Sequence, residues 1–292
     1  MEKIFSFPFK NLVFEGGGVL GVAYQGFYEV LEKYKIAPQI RRVCGTSAGT
    51  ISATMIALGY NASECKEILL DSPFNTFCDG GWLGPYRLLK KFGWYKGDKM
   101  KDFFKEVIKN KTGDPNITFK EVEQAGYMDL RLVATNATKN ISVIFSHEKT
   151  PNLNVAEGMR ASSSIPYFFA AQKINSDIYI DGGILRNYAI QEFDDLSPDE
   201  TTLGAYVMDP LKPPLPIKGF FSYTGHFMAA MKRQQYIQLI NEKHDFDRTV
   251  FIDDLGISPV DFKITRDQKL ALMEQGRLAA ERYIKNRFSE MD

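Results

Sequence analysis

The pentapeptide at residues 45–49 (GTSAG) constrains the fold of this 292-residue chain more than any other segment. It lies between a predicted strand at residues 40–44 and small apolar residues at 47–58, which predict a helix buried against a sheet. Gly-x-Ser-x-Gly in this context indicates a nucleophile elbow, whose tight turn requires glycine at Gly45 and Gly49. The pattern predicts Ser47 as a nucleophile, with an ordinary tight turn as the alternative.

A glycine-rich loop at residues 15–21 (EGGGVLG) follows the first predicted strand, at residues 10–15. Its spacing also fits Gly-x-Gly-x-x-Gly, the dinucleotide-binding pattern, which expects an acidic residue about 20 positions further on. Residues 33–63 contain no Asp or Glu, and no Gly-Lys-Ser/Thr follows, so nucleotide binding is disfavoured. We expect the N–H groups of Gly16, Gly17 and Gly18 to form an oxyanion hole. A glycine turn without a ligand is the alternative.

A serine nucleophile needs a base, and histidine is the usual one. The chain has three histidines, His147, His226 and His244. His147 follows a predicted strand, whereas the chain order of α/β-hydrolases favours one of the other two. A Ser–His–Asp esterase therefore stays open on the residues alone.

Asp181 is the stronger candidate for the base. It ends a predicted strand at residues 174–181, and Gly182 and Gly183 follow it. Two glycines allow another backbone segment to approach the carboxylate closely. An aspartate that begins a turn is the alternative interpretation.

Strand and helix patterns alternate along most of the chain. Further strands are predicted at residues 130–135, 141–146, 203–208 and 249–252, and helices at 21–34 and 265–288. Thr265 and Gln268 have capping-box spacing, and the proline-rich residues 209–219 predict a loop. Alternating elements indicate a mostly parallel sheet covered on both faces, with functional loops at the carboxyl ends of strands.

The composition limits the class of protein. With 36 basic and 36 acidic residues the formal charge is zero, which argues against nucleic-acid binding. No run reaches the roughly 18 apolar residues of a spanning helix, and Pro8 and Lys10 make the start a poor signal peptide. Cys44, Cys65 and Cys78 lack paired spacing, so we expect buried reduced thiols and neither a disulfide framework nor a structural metal. These features together predict a cytoplasmic location.

Several motifs together resemble the patatin-like phospholipase family. They are the glycine loop at residues 16–21 (GGGVLG), the elbow at 45–49 (GTSAG), the segment at 161–166 (ASSSIP) and the tripeptide at 181–183 (DGG). The resemblance extends over about residues 10–285 and implies a single domain, residues 1–292, with a three-layer α/β/α fold. Residues 74–111 would be an aromatic and basic insertion.

The resemblance implies a catalytic dyad. Ser47 would be the nucleophile, Asp181 the base and the amides of Gly16–Gly18 the oxyanion donors, with no cofactor and no metal. Because an aspartate of ordinary pKa is a weak base at neutral pH, we expect Asp181 to lie in a largely apolar pocket. Leu20 occupies a loop position where many members carry Lys or Arg, and Tyr188-Ala189 stands where the family has a proline. Neither change affects the dyad.

The expected substrate is a phospholipid, a lysophospholipid or another acyl lipid. Residues 82–111 contain both tryptophans, with nine basic and three acidic residues, which suits transient contact with a membrane surface. Aromatic residues within 216–233 are candidates to line an acyl channel. For both segments a core role is the alternative, and a non-catalytic lipid-binding module of the same fold remains open.

Overall fold

The computed structural model describes residues 7–198, 201–208 and 216–288. The strands within these ranges are β1 Asn11–Phe14, β2 Arg42–Thr46, β3 Gly93–Tyr95, β4 Asp129–Asn136, β5 Ile141–Phe145, β6 Tyr167–Phe169, β7 Gln172–Ile174, β8 Asp177–Asp181, β9 Thr202–Val207 and β10 Thr249–Ile252. The α-helices are α1 Ala23–Lys33, α2 Gly49–Ala57, α3 Ala62–Asp71, α4 Gly84–Lys91, α5 Asp98–Thr112, α6 Phe119–Gln124, α7 Val155–Ser162, α8 Phe220–Asn241, α9 Lys243–Asp247 and α10 Arg266–Phe288.

The central sheet has the strand order β10-β9-β1-β2-β4-β8-β7, and β5 also pairs with β4. Neighbours from β10 to β4 are parallel, whereas β5, β7 and β8 make antiparallel pairs. A separate parallel pair joins β3 to β6. The predicted α/β fold with a mostly parallel sheet is therefore confirmed.

Both faces of the sheet are buried, as a parallel sheet requires. Along β1, Leu12 and Phe14 belong to the larger core, which also contains residues of α1, α2, α5, α7 and α10. Val13 points to the opposite face and packs in a second core that includes Leu239 of α8. The alternation follows from the two-residue period of a strand and gives three layers.

The start of α10 follows a local capping rule. At the start of α10 the Thr265 hydroxyl accepts the Gln268 N–H at 3.2 Å, and the Gln268 side chain accepts the Thr265 N–H at 2.9 Å. This is the predicted capping box. No helix in the described ranges is both long and apolar enough to cross a membrane.

The strand predicted at residues 174–181 is confirmed for Asp177–Asp181, whereas Ile174 ends the preceding strand β7 and a turn separates the two. β7 and β8 are antiparallel, and Asn175 adopts a left-handed φ of 55° in the turn between them. Asparagine tolerates this conformation, which allows the tight reversal. Of the loop predicted at 209–219, residues 209–215 lie outside the described residues.

Candidate active site

Ser47 occupies the sharp turn between β2 and α2. Its φ is 49°, a left-handed value that is uncommon for a residue with a side chain. A Cβ atom on Gly45 would lie 2.4 Å from the Gly49 oxygen, and one on Gly49 would lie 2.5 Å from the Phe14 oxygen. The elbow therefore needs both glycines, as the motif predicts.

The Ser47 hydroxyl donates a hydrogen bond to Asp181, with Oγ and Oδ2 2.6 Å apart. Asp181 ends β8, which pairs with the middle of the sheet through β4. Both side chains are buried, at 6% exposure for Ser47 and 2% for Asp181. The structure thus brings together the two residues predicted to act as nucleophile and base.

Asp181 is held by its neighbours on the following turn. The Gly183 N–H donates to Asp181 Oδ1 at 2.8 Å, which leaves Oδ2 facing Ser47. A Cβ atom on Gly182 would lie 2.4 Å from the Val133 oxygen, so a backbone segment does pass close to this turn. Main-chain contacts therefore orient Asp181 Oδ2 toward Ser47.

Burial raises the pKa of Asp181 to about 6. Desolvation is the largest cause, and the hydrogen bonds from Ser47 and Gly183 act in the opposite direction because they favour the charged form. A carboxylate with this pKa is mostly ionised at neutral pH. It is also a stronger base than an exposed aspartate.

The glycine loop differs from the prediction at Gly16. The Gly16 N–H donates to the Asn187 oxygen at 3.1 Å, so this amide is already occupied and the expectation of three free N–H groups is wrong at this position. No hydrogen bond between described residues uses the N–H of Gly17 or Gly18. A Cβ on Gly16 would lie 3.2 Å from the Ser47 Cβ, which places the loop against Ser47.

Ser162 supports the elbow from α7. Its hydroxyl accepts the Ser47 N–H at 2.8 Å and donates to the Val133 oxygen at 2.5 Å. In the sequence this serine belongs to the segment at residues 161–166, which carries part of the family resemblance. Its contact with the main-chain N–H of Ser47 was not predicted, because Ser162 and Ser47 are 115 residues apart in the chain.

A buried polar network lies behind the glycine loop. The Asn187 side-chain amide donates to Glu15 Oε1 and to the Gly16 oxygen, both at 2.9 Å. Glu15 is fully buried and forms an ion pair with Lys232 at 2.9 Å. Burial raises the pKa of Glu15 to about 7, against the opposing charge of Lys232. None of these roles was predicted from the sequence.

The histidines make contacts elsewhere. His147 Nδ1 lies 3.4 Å from Asp129, His226 Nδ1 lies 2.7 Å from the Ser222 oxygen, and His244 lies 3.7 Å from Asp245. The hydrogen bonds found for Ser47 Oγ in the described chain involve Asp181 alone. This geometry favours a dyad over a Ser–His–Asp triad.

Cys44 and Cys65 are buried free thiols, and Cys78 is a half-buried one. Within the described ranges no group of three or more His, Cys, Asp or Glu side chains could hold a metal ion.

The aromatic segment at residues 74–111 divides between core and surface. Phe77 and Phe104 are buried in the larger core, as the structural interpretation predicts. Trp82 on the turn before α4 is 84% exposed and Leu89 on α4 is 80% exposed. One part of the segment is therefore core, and another is an apolar surface.

This surface extends to the start of α8. The Tyr167 N–H donates to the Phe92 oxygen at 3.1 Å, and the Tyr167 ring lies 6.4 Å from the Phe220 ring in an edge arrangement. The exposed apolar side chains of these segments include Trp82, Tyr86, Leu89, Phe92, Tyr167 and Phe220, and we call these six the aromatic face. Exposed Lys90 and Lys91 end α4 and directly follow Leu89 in the chain.

Comparisons with known proteins agree with this architecture. A family model described as patatin-like phospholipase matches residues 12–194. An uncharacterised protein of Acanthamoeba polyphaga mimivirus is 32% identical over 284 residues, which cover 94% of this chain and 93% of that protein. A probable lipid hydrolase of invertebrate iridescent virus 6 is 31% identical over 185 residues, which cover 62% of each chain. The solved structure of VipD from Legionella pneumophila has a TM-score of 0.62 at 15% identity and covers 96% of this chain and 67% of that one, a likeness of fold.

Proposed function

Because the chain belongs to the patatin-like phospholipase family, we propose that it hydrolyses fatty-acyl esters of phospholipids or lysophospholipids through a Ser47–Asp181 dyad. The observation that carries this proposal is the 2.6 Å hydrogen bond from Ser47 Oγ to Asp181 Oδ2. A short bond between a hydroxyl and a carboxylate is the contact through which a base removes a proton from its nucleophile.

The first half-reaction forms an acyl-enzyme. As Ser47 Oγ attacks the ester carbonyl carbon, its proton passes to Asp181 Oδ2 and the carbonyl oxygen becomes an oxyanion. When the intermediate collapses, the ester C–O bond breaks and the leaving lysolipid or glycerol oxygen takes the proton from Asp181. Asp181 is ionised again at the end of this step.

The oxyanion would be bound by the N–H groups of Gly17 and Gly18. They lie in the loop packed against the elbow, and neither is used in a hydrogen bond between described residues. Main-chain donors that are already oriented need no reorganisation when charge develops, and each is worth on the order of 3 kcal/mol in the barrier. The α2 N-terminus, which begins just after Ser47, adds a favourable dipole.

The second half-reaction regenerates the serine. A water molecule gives its proton to Asp181 and attacks the acyl carbonyl carbon, and the oxyanion forms again in the same hole. Its collapse releases the fatty acid, and Ser47 Oγ takes back the proton from Asp181. No net proton remains on the dyad, so the cycle closes with hydrolysis of one ester by one water.

The aromatic face would meet the lipid surface. Trp and Tyr side chains favour the headgroup region of a bilayer, and lysines are attracted to anionic lipid. Trp82, Tyr86 and Leu89 are largely exposed, and exposed Lys90 and Lys91 follow Leu89 in the chain. The protein would therefore make transient contact with a membrane surface through the aromatic face.

The test is fatty-acid release from phosphatidylglycerol and lysophosphatidylglycerol by wild type, Ser47→Ala and Asp181→Asn. Each substitution is expected to lower kcat at least about a thousandfold, because the nucleophile and the base act as one unit and the loss of either prevents acyl transfer. Ser163→Ala and Asp177→Asn are matched controls, since they change a buried serine of the same region and an aspartate of the same strand.

A fluorophosphonate probe tests the nucleophile independently. It should label wild type at Ser47 and leave Ser47→Ala unlabelled. Undiminished ester hydrolysis in Ser47→Ala or Asp181→Asn would remove that residue from the mechanism, and absence of both hydrolysis and labelling in wild type would favour a lipid-binding module.

A further inference from the structure

Helix α8 contacts the turn that follows Asp181 through Gln235. The Gln235 side-chain oxygen accepts the Asn187 N–H at 2.7 Å, and its amide nitrogen donates to the Gly183 oxygen at 3.0 Å. Both polar atoms of the Gln235 side chain therefore form hydrogen bonds to the segment that follows Asp181, at Gly183 and Asn187.

Gly183 connects this contact to the dyad. Its oxygen is held by Gln235 and its N–H donates to Asp181 Oδ1 at 2.8 Å. A displacement of Gly183 would change the orientation of the Asp181 carboxylate, and with it the 2.6 Å contact to Ser47. Gln235 is therefore linked to the Asp181 carboxylate through one intervening residue, Gly183.

Lys232, one turn earlier on α8, reaches the strand that leads into the glycine loop. Its ammonium group contacts Glu15 Oε1 at 2.9 Å and donates to the Val207 oxygen at 2.6 Å. The other Glu15 oxygen accepts the Val207 N–H at 2.9 Å. Since Glu15 directly precedes Gly16, the ion pair fixes the chain where the glycine loop begins.

Asn187 joins the two contacts. Its main-chain oxygen accepts the Gly16 N–H, its side chain donates to Glu15 and to the Gly16 oxygen, and its own N–H donates to Gln235. The glycine loop and the turn after Asp181 are therefore tied to each other and to one helix. A buried ion pair is an inefficient way to gain stability, but it can specify one arrangement among several.

We propose that Lys232 and Gln235 of α8 are positioning residues that hold the glycine loop and the Asp181 turn in register for acyl transfer. The inference rests on the proposed function for its kinetic readout, and its structural readout is independent of activity. Oxyanion donors and a base must be placed to within about 0.5 Å, so a small displacement of either loop lowers the rate of acylation.

The first variant is Gln235→Met, with Gln234→Met on the exposed side of α8 as its matched control. We expect Gln235→Met to lower kcat about ten- to a hundredfold per active site counted by fluorophosphonate, with KM changed less than twofold. Loss of the hold on Gly183 weakens a hydrogen bond that favours ionised Asp181, so the acidic limb of the pH–rate profile should move to higher pH. A contact that only stabilised the fold would not move this limb.

The second variant is the pair Glu15→Gln with Lys232→Met. Lys232→Met alone leaves a buried carboxylate without its cation and is expected to unfold more readily. The double variant removes both charges and should unfold less readily than Lys232→Met. Glu15→Gln alone is its reference, because a glutamine cannot accept both the Asn187 and the Val207 hydrogen bonds. Relative to Glu15→Gln, the double variant should keep kcat lowered at least about fivefold because α8 is no longer tied to residue 15. Restoration of wild-type kcat would assign the ion pair a purely structural role.

Hydrogen–deuterium exchange supplies a readout without substrate. Amides of residues 182–187 should exchange faster in Gln235→Met than in Gln234→Met, with no change in α2. Equal exchange and equal kcat in these two variants would overturn the proposal. If wild type is inactive, the proposed function fails, whereas the exchange comparison still decides whether Gln235 positions the turn.

Discussion

Ser47 and Asp181 are 134 residues apart in the chain, and their side-chain oxygens lie 2.6 Å apart, with both residues buried. The contact depends on the sheet. β2 leads into the elbow, β8 ends at Asp181, and the two strands are the neighbours of β4 on either side in the strand order. Elements far apart in sequence thus fix the geometry of the site, and the side chains near them tune it.

The rate of ester hydrolysis should depend on the ionisation of Asp181. Because burial raises the pKa of Asp181 to about 6, kcat/KM is expected to be low at pH 5, to rise through about pH 6 and to level off above pH 7. The measurement is a pH–rate profile with a neutral ester substrate at low substrate concentration.

Two control variants identify the group whose ionisation causes the rise of kcat/KM near pH 6. Glu15 also has a raised pKa, of about 7, so the profile of Glu15→Gln should retain the inflection near pH 6. Replacement of His147, His226 and His244 together by glutamine should retain it as well. An inflection that disappears in the histidine variant would identify a histidine base instead.

Asp181→Asn should stabilise the protein while it abolishes activity. In wild type the folded state holds the Asp181 proton more tightly than the unfolded state, so stability falls as the pH rises from about 4 to about 6. A pKa raised from 3.8 to about 6 corresponds to about 3 kcal/mol at neutral pH. The neutral amide avoids this cost.

Urea unfolding of both proteins at pH 4.5 and pH 7.5 checks this expectation. Asp181→Asn should gain about 3 kcal/mol relative to wild type at pH 7.5 and much less at pH 4.5. A destabilised variant at pH 7.5 would mean that the contacts of the carboxylate outweigh its desolvation.

The local parts of the site were predictable from short patterns. Gly45 and Gly49 mark the elbow because a tight turn excludes side chains, and Thr265 with Gln268 marks the start of α10. The contact of Gly45 with Gly49 and the Thr265–Gln268 capping box lie within a few residues, which a sequence pattern records directly. Gly49 is marked by the same pattern, although its close neighbour is the Phe14 oxygen of β1.

The supporting contacts were not predictable in the same way. Glu15 contacts Asn187 across 172 positions, and no periodicity relates Gln235 to Gly183. The occupied Gly16 amide was missed for the same reason, since its acceptor is the Asn187 oxygen. Composition also left open which aromatic residues of 74–111 are exposed, because Trp82 and Phe104 differ in tertiary contacts rather than in type.

Ser162→Ala should weaken both stability and catalysis. The substitution leaves the buried Ser47 N–H without its acceptor, which costs about 1–3 kcal/mol. It also removes the bond that holds Ser47 at its left-handed φ, so kcat per titrated active site should fall at least about tenfold.

Ser163→Ala is the matched control, because the Ser163 hydroxyl is buried and has no hydrogen-bond partner among the described residues. Urea unfolding and kcat are measured for both variants. Equal behaviour of the two would show that Ser162 has no special role at the elbow.

The aromatic face should bind anionic vesicles through Trp82. Trp94→Phe leaves Trp82 as the sole indole, and its fluorescence is expected to shift to the blue when phosphatidylglycerol vesicles are added. Trp82→Phe leaves Trp94, which is half-buried beside Gly84, and should respond much less. The shift should weaken with added salt, because salt screens the attraction of Lys90 and Lys91 to the charged surface.

Leu89→Asp should reduce vesicle binding without loss of hydrolysis of a soluble short-chain ester. An unchanged Trp82 spectrum with anionic vesicles would remove this face from the lipid encounter, and the dyad would then have to receive its substrate by another surface.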